Sequence, residues 1–241
     1  MRASVFRNVV GGSLNKIIKG FFDPSLLNPL AWWDATDAST ITLSGSNVTQ
    51  WDDKSGNGYN FAQATGASQP LLESGGIRFT EDFMTAAGSN LANVDFDLFM
   101  VVSIGQNMQG KRIFGTSGQS GTESLYVRNT GTNNWQGGSA TNRIEFNFGF
   151  NIEYNQDEVF ILEIDHKSSA AVFKNNQDLP IATDNFSQFT VDNNYLVGSA
   201  FDSNSRVQNA VIKEILITPT LTEQQRTEVT QYLAFKHGVA I

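Results

Sequence analysis

Between Arg143 and Ile152 the chain reads RIEFNFGFNI. Ile144, Phe146, Phe148, Phe150 and Ile152 fall on every second position, with Arg143, Glu145, Asn147, Gly149 and Asn151 between them. A period of two collects all five apolar residues on one side of an extended strand and leaves the other side to water. A sheet wetted on one face is an antiparallel sheet. The same habit recurs along the chain. DLFMVVSIG (97–105) is apolar on both sides, which predicts a central strand, and EVFILEID (158–165), AAVFKN (170–175), NYLVGS (194–199) and AVIKEILIT (210–218) continue the series. No long helical pattern separates these runs, which excludes a doubly wound parallel sheet. The 21 glycines and the Asn, Ser and Thr between the runs supply the turns that such strands need.

One helix is predicted, and it comes last. In LTEQQRTEVTQYLAFKHG, Thr222 stands as N-cap with Gln225 three residues on, a capping box. Val229, Tyr232, Leu233 and the stem of Lys236 mark one side, and Gly238 is the expected stop. There is neither an internal repeat nor a Pro-rich linker. The expected organisation is one domain, 23–241, preceded by an arm, 1–22.

The arm differs from the rest. Arg2, Arg7, Lys16 and Lys19 come with no acid among the first twenty residues, so the remainder carries −12 against −8 for the whole. Arg7, Asn8 and the Gly11-Gly12 pair interrupt its apolar stretch, and no small-residue cleavage site follows, so it does not read as a signal peptide. It is either a frayed terminus or a docking segment. Phe6, Val9, Ile17, Ile18 and Phe21, with Arg2 and Arg7, are the residues that would make the docking contact.

Composition removes several chemistries. With no cysteine, disulfides, thiolate metal sites and cysteine nucleophiles are excluded. A net charge of −8 has the wrong sign for a duplex-binding surface, so nucleic acid is not expected as a partner. No apolar run reaches the ~20 residues of a membrane span.

Three segments and the two histidines suggest functional motifs, and each has a plainer reading. WDDKSGNGYN (51–60) contains Asp53-x-Ser55-x-Asn57-Gly58, the first half of a calcium loop. The bidentate acid required at position twelve is replaced by Ala64. The expectation is a tight corner, with Asp53, Ser55 and Asn57 tying backbone and Trp51 packed. GQNMQGKR (105–112) spells Gly-x₄-Gly-Lys, but Arg112 stands where the magnesium hydroxyl belongs, and a β-hairpin is expected instead. Glu163 and Asp165 share a strand face in the manner of a glycosidase pair, but His166, Lys167 and Ser168 follow where a further acid would be needed; a strand end is expected. His166 and His237 have no partners at metal-ligand spacing, and His237 is explained by its place at a helix C-terminus. No cofactor or metal site and no catalytic set is therefore predicted.

The aromatics divide. Trp32, Trp33 and Trp51 sit in apolar or strand-like settings and are expected in the core. Trp135 lies among small polar residues, and with Asn133, Asn134 and Gln136 it is the candidate contact for a glycan or a partner. The plainer alternative is a loop anchor folded back on the domain.

PLAWWDATD (29–37), VTQWDDKSGNGYNFAQ (48–63) with Pro70, GGIRF (75–79) and the closing AVIKEILITPTLTEQQRTEVTQYLAFKHGV (210–239) together resemble the laminin-G/concanavalin A-like jelly-roll domains of bacteriophage structural proteins and bacterial surface proteins. The ends carry the resemblance; the middle matches by strand pattern. It implies an all-β concanavalin A-like antiparallel sandwich with one short C-terminal helix and an N-terminal extension. It further implies a non-catalytic virion protein, a capsid decoration, fibre or tail-associated module, made in the host cytoplasm. Such a protein would be docked on other virion proteins through residues 1–22, as a homo-oligomer or part of a symmetric assembly. The alternative function is a carbohydrate-binding, receptor-recognition module that takes a host-surface glycan. A glycoside hydrolase is the third, for which the acid set is incomplete.

Overall fold

A computed structural model of the chain describes residues 22–91, 94–105, 110–117, 123–131, 134–138, 155–165, 169–174, 182–185, 194–199 and 206–241. The Phe-rich segment 143–152 lies outside them. The described strands are β1 (Ala31–Asp34), β2 (Ile41–Ser44), β3 (Asn47–Trp51), β4 (Phe61–Ala62), β5 (Leu71–Glu73), β6 (Gly76–Phe79), β7 (Met84–Ala87) and β8 (Phe96–Ile104). They continue with β9 (Arg112–Ser117), β10 (Glu123–Gly131), β11 (Asn134–Gly138), β12 (Asp157–Asp165), β13 (Ser169–Lys174), β14 (Ala182–Asn185), β15 (Asn194–Val197) and β16 (Ala210–Pro219). The helix α1 (Glu223–His237) comes after them.

All pairings between these strands are antiparallel, in the order β11-β10-β9-β15-β7-β4-β3-β5-β6-β16-β8-β12-β13-β14, with β1 added to β16 and β2 to β3. The sheet curls onto itself, and Trp33 marks the closure. Its ring, on β1, lies 4.5 Å from Phe61 on β4, 5.2 Å from Tyr195 on β15 and 6.2 Å from Phe114 on β9. Trp33 and Trp51 are fully buried and Trp32 nearly so, as expected of them. The protein is an all-β antiparallel sandwich with one C-terminal helix.

The layer β1-β16-β8-β12 is covered on both faces, which explains why β8 carries apolar residues toward both. Leu98, Met100 and Val102 point into the sandwich with Ile215 and Ile217. Phe99 and Val101 point outward with Trp32, Val159 and Leu216, where Leu221, Val229, Leu233 and Ala234 cap them. Phe22 belongs to this outer cluster, its ring 5.3 Å from that of Tyr232. The last residue assigned to the arm is thus packed on the folded body. Arg2, Phe6, Arg7, Val9, Ile17, Ile18 and Phe21 lie outside the described residues.

The helix forms as its caps predict. Thr222 Oγ1 accepts from the Gln225 N–H, the Gln225 side chain accepts from the Thr222 N–H, and Gly238 closes the other end at φ 71°. The expected hairpin at 105–112 does not form. β8 is bonded to β12 and β16, and β9 to β10 and β15, so the two strands do not pair. Glycine and lysine at a strand end do not by themselves fix a hairpin, and the occupied edges of β8 exclude one with β9.

Candidate functional site

The corner at 51–60 is built around one carboxylate. Asp53 Oδ1 accepts from the backbone N–H groups of Trp32 and Ser55, each at 2.9 Å, and Oδ2 accepts from Ser55 Oγ at 2.8 Å and the Tyr59 N–H at 3.1 Å. Four donors fill the acceptor capacity that a cation would need. Asn57 donates its amide to the Pro29 and Leu30 carbonyls, and the Lys54 N–H bonds the Trp32 carbonyl. The segment therefore turns a corner and also fixes β1 in place, the second role being one the sequence did not reveal.

Beside this corner lies a buried ionic cluster. Asp34 and Glu214 stand directly opposite each other on β1 and β16. Like charges at such a pair repel. Here Lys236, from the last turn of α1, enters between them, its Nζ 2.7 Å from Asp34 Oδ2 and 2.6 Å from Glu214 Oε2. Glu214 is wholly buried and also accepts from the Trp32 indole N–H at 2.8 Å, while His237 Nε2 lies 2.7 Å from its Oε2. Asp34 Oδ1 takes the Thr36 N–H and hydroxyl at 3.0 and 2.7 Å, and its Oδ2 also takes Lys54 Nζ at 3.1 Å. Lys54 continues to Asp37 at 2.7 Å and lies 4.5 Å from the Trp32 ring centre.

Burial alone would raise the Asp34 carboxyl, but the Lys236 and Lys54 ammoniums and Thr36 together hold it below the ordinary carboxylate value. Burial likewise opposes the Lys236 charge, and the two carboxylates overcome it, keeping the ammonium well above the usual lysine range. Asp37, bonded to Lys54 and Ser39, is drawn down to about 2. Asp34, Asp37 and Lys236 are thus held in their charged forms by their neighbours.

A β-bulge brings Glu214 here. Ile212 and Ile215 both face the interior, three residues apart, because the pairing of β16 with β8 shifts between Ile212 and Glu214. An extra residue in one strand re-aims the side chains beyond it. Without it Glu214 would share the interior face of Ile212. The helix-end explanation of His237 is therefore insufficient, since its side chain is only 2% exposed and lies against Glu214. Sequence reasoning missed Asp34, Glu214 and Lys236 as a group. The available signal was a glutamate inside the apolar run AVIKEILIT, with isoleucines spaced three apart where a strand calls for two.

Asn134, Trp135 and Gln136 form part of β11, not a loop. Asn129 on β10 is the partner of Trp135, with a bulge between Asn129 and Gly131. Asn133 lies outside the described residues. β11 ends the strand order among the described residues. Glu163 and Asp165 fall at the end of β12, as a strand terminus should, and His166 lies outside the described residues. No group of three or more His, Asp or Glu able to hold a metal occurs among the described residues.

No protein-family model matches the chain, and no curated protein sequence matches it either. Solved structures do. Domain 4 of an extracellular arabinanase from Geobacillus stearothermophilus, in complex with arabinotriose, superposes with a TM-score of 0.57 at 12% identity, over 84% of this chain and 98% of that domain. The binding domain of Paraclostridial Mosquitocidal Protein 1 gives 0.61 at 10% identity, over 85% of this chain and 52% of that one. Trypanosoma rangeli sialidase gives 0.60 at 11% identity over 87% of this chain, which spans only 33% of the sialidase's length. At such identities the likeness is one of fold. The fold is the jelly-roll sandwich that the sequence resemblance implied.

Proposed function

We propose that the chain is a non-catalytic carbohydrate-recognition module. The observation that carries this reading is the match to the arabinanase domain solved with arabinotriose, which extends over nearly all of that domain and most of this chain. A sandwich of this kind presents loops and edges on a rigid frame, and sugar recognition needs only a few aromatic and amide groups placed there. Trp135, on β11 at the end of the strand order among the described residues, is the contact on which the reading stands. That the module is not a hydrolase is supported by its clustered acids: Asp34, Asp37 and Glu214 are all committed to lysines. None of the three neighbours described above is a virion protein, so the phage role rests on sequence resemblance alone.

A glycan array followed by calorimetric titration with arabinotriose tests the proposal. Saturable binding to at least one glycan is expected, and Trp135→Ala is expected to weaken it roughly tenfold, about 1.4 kcal/mol. An array without signal for the folded wild-type protein would overturn the reading.

A further inference from the structure

The cluster at Asp34 also holds what an amide-forming reaction requires. Lys236 Nζ approaches two carboxylates at once, within 2.7 Å of Asp34 Oδ2 and 2.6 Å of Glu214 Oε2. The side chains of Asp34 and Glu214 are 5% and 0% exposed, so bulk water is largely kept from the two carboxylates, while that of Lys236 is 20% exposed. On the far side of the Asp34 carboxylate, Oδ1 receives two donors from Thr36, its N–H at 3.0 Å and its hydroxyl at 2.7 Å. Two donors converging on one oxygen are the arrangement that stabilises charge as a carboxyl carbon becomes tetrahedral. Lys54, at 3.1 Å, adds positive charge beside Oδ2.

We propose that Lys236 and Asp34 condense into an intramolecular amide, with Glu214 carrying the protons, so that β1 and α1 become covalently joined. Glu214 Oε2 takes a proton from the Lys236 ammonium, and the freed amine attacks Asp34 Cγ. A C–N bond forms while negative charge gathers on Oδ1 against the Thr36 N–H and hydroxyl. The Cγ–Oδ2 bond then breaks. Of the three ammonium protons, one remains on the amide nitrogen and two, relayed through Glu214, leave on Oδ2 as water. An ammonium and a carboxylate become an amide and water, so charge balances, nothing is oxidised, and no co-reactant is needed. Holding the reactants in contact supplies the large effective concentration that makes such a step feasible without one.

The contacts that position the pair also keep it ionised, with Asp34 held low and Lys236 held high. The ion pair is therefore the resting state, and the bond forms slowly, as a maturation after folding. It would supply a chain without cysteine with a covalent staple between its first described strand and its last helix.

Intact mass spectrometry of the folded full chain, denatured only for the measurement, tests this directly. A species lighter than the sequence mass by one water is expected, growing with incubation. Tryptic digestion should give a branched peptide joining the segments that contain Asp34 and Lys236. Lys236→Arg keeps the positive charge but not the primary amine, and should remain at the sequence mass. Glu214→Gln, where circular dichroism shows it folded, should retain amine and carboxyl yet condense far more slowly. Wild-type protein that stays at the sequence mass after prolonged incubation would overturn the proposal and leave an ionic clamp. Water loss that persists in Lys236→Arg would overturn it too, by placing the dehydration elsewhere. A folded Glu214→Gln variant that condenses at the wild-type rate would remove Glu214 from the reaction.

Discussion

Asp53 carries four hydrogen bonds on one carboxylate, three of them from backbone N–H groups. Bonds to a charged acceptor are among the stronger ones, and removing that acceptor strands its donors. Asp53→Ala is expected to destabilise the fold by about 3 kcal/mol. Asp53→Asn, which keeps an acceptor oxygen, should cost less. Urea unfolding followed by tryptophan fluorescence measures both, and equal stability of wild type and Asp53→Ala would contradict the role given to this residue. The turn itself was legible because Asp, Ser, Asn and Gly occur at spacings that serve local backbone bonds. That the turn also grips Trp32, 21 positions away, was not, since hydrogen bonds between distant segments leave no local pattern.

The helix α1 is held to the sheet by apolar packing and by the ionic cluster, and the two respond differently to pH. Asp34 and Asp37 have carboxyls lowered by folding, so the stability they lend is present above the ordinary value of 3.8 and is lost as pH falls through their folded values. For Asp37 that value is about 2, and its side chain is 32% exposed, so solvent screens most of its contribution. Lys236 is raised, so its contribution is complete below the ordinary lysine value and is lost only as pH rises through its elevated one. The ionic, uncondensed protein should therefore lose thermal stability between about pH 4 and pH 2 while staying insensitive at moderately alkaline pH. Melting temperature against pH checks this, and a flat acid limb would argue against the cluster's role. The helix was legible to its capping residues, because capping chemistry is local. The acids beneath it were not, because the bulge in β16 that aims Glu214 outward depends on where β8 sits.

At the scale of the whole molecule, the all-β antiparallel character could be read from alternating runs with no helix between them. The pairing order could not. β8 and β9 are consecutive yet pair with different neighbours, and β1 reaches across the chain to β16, because closure of the sheet is governed by burial on both faces. Trp32, Trp33 and Trp51 were assigned to the core correctly, while Trp135, read as a candidate contact from its small polar neighbours, belongs to β11, a strand those neighbours did not announce. Since α1 supplies one side of the outer apolar cluster, removing residues 221–241 should uncover Trp32, Phe99, Val101 and Leu216 together. Exposed patches of that kind associate. The truncated chain is expected to bind a hydrophobic dye and to sediment as aggregates, and a monomeric, dye-free product would show that the helix is dispensable.

The kink in β16 falls where one edge of that strand changes hands, bonded to β6 at Ala210–Ile212 and to β1 from Glu214 onward. Each side of the kink has its own frame, and a single residue separates the two. Straightening the strand with that residue retained would rotate everything downstream by half a turn, driving Glu214 into the oil and Ile215 and Ile217 under the helix, whereas removing the residue outright would restore plain alternation and leave those faces as they are. The alternation on either side can accordingly absorb the loss of one position here, but a gained position would reverse every face beyond it.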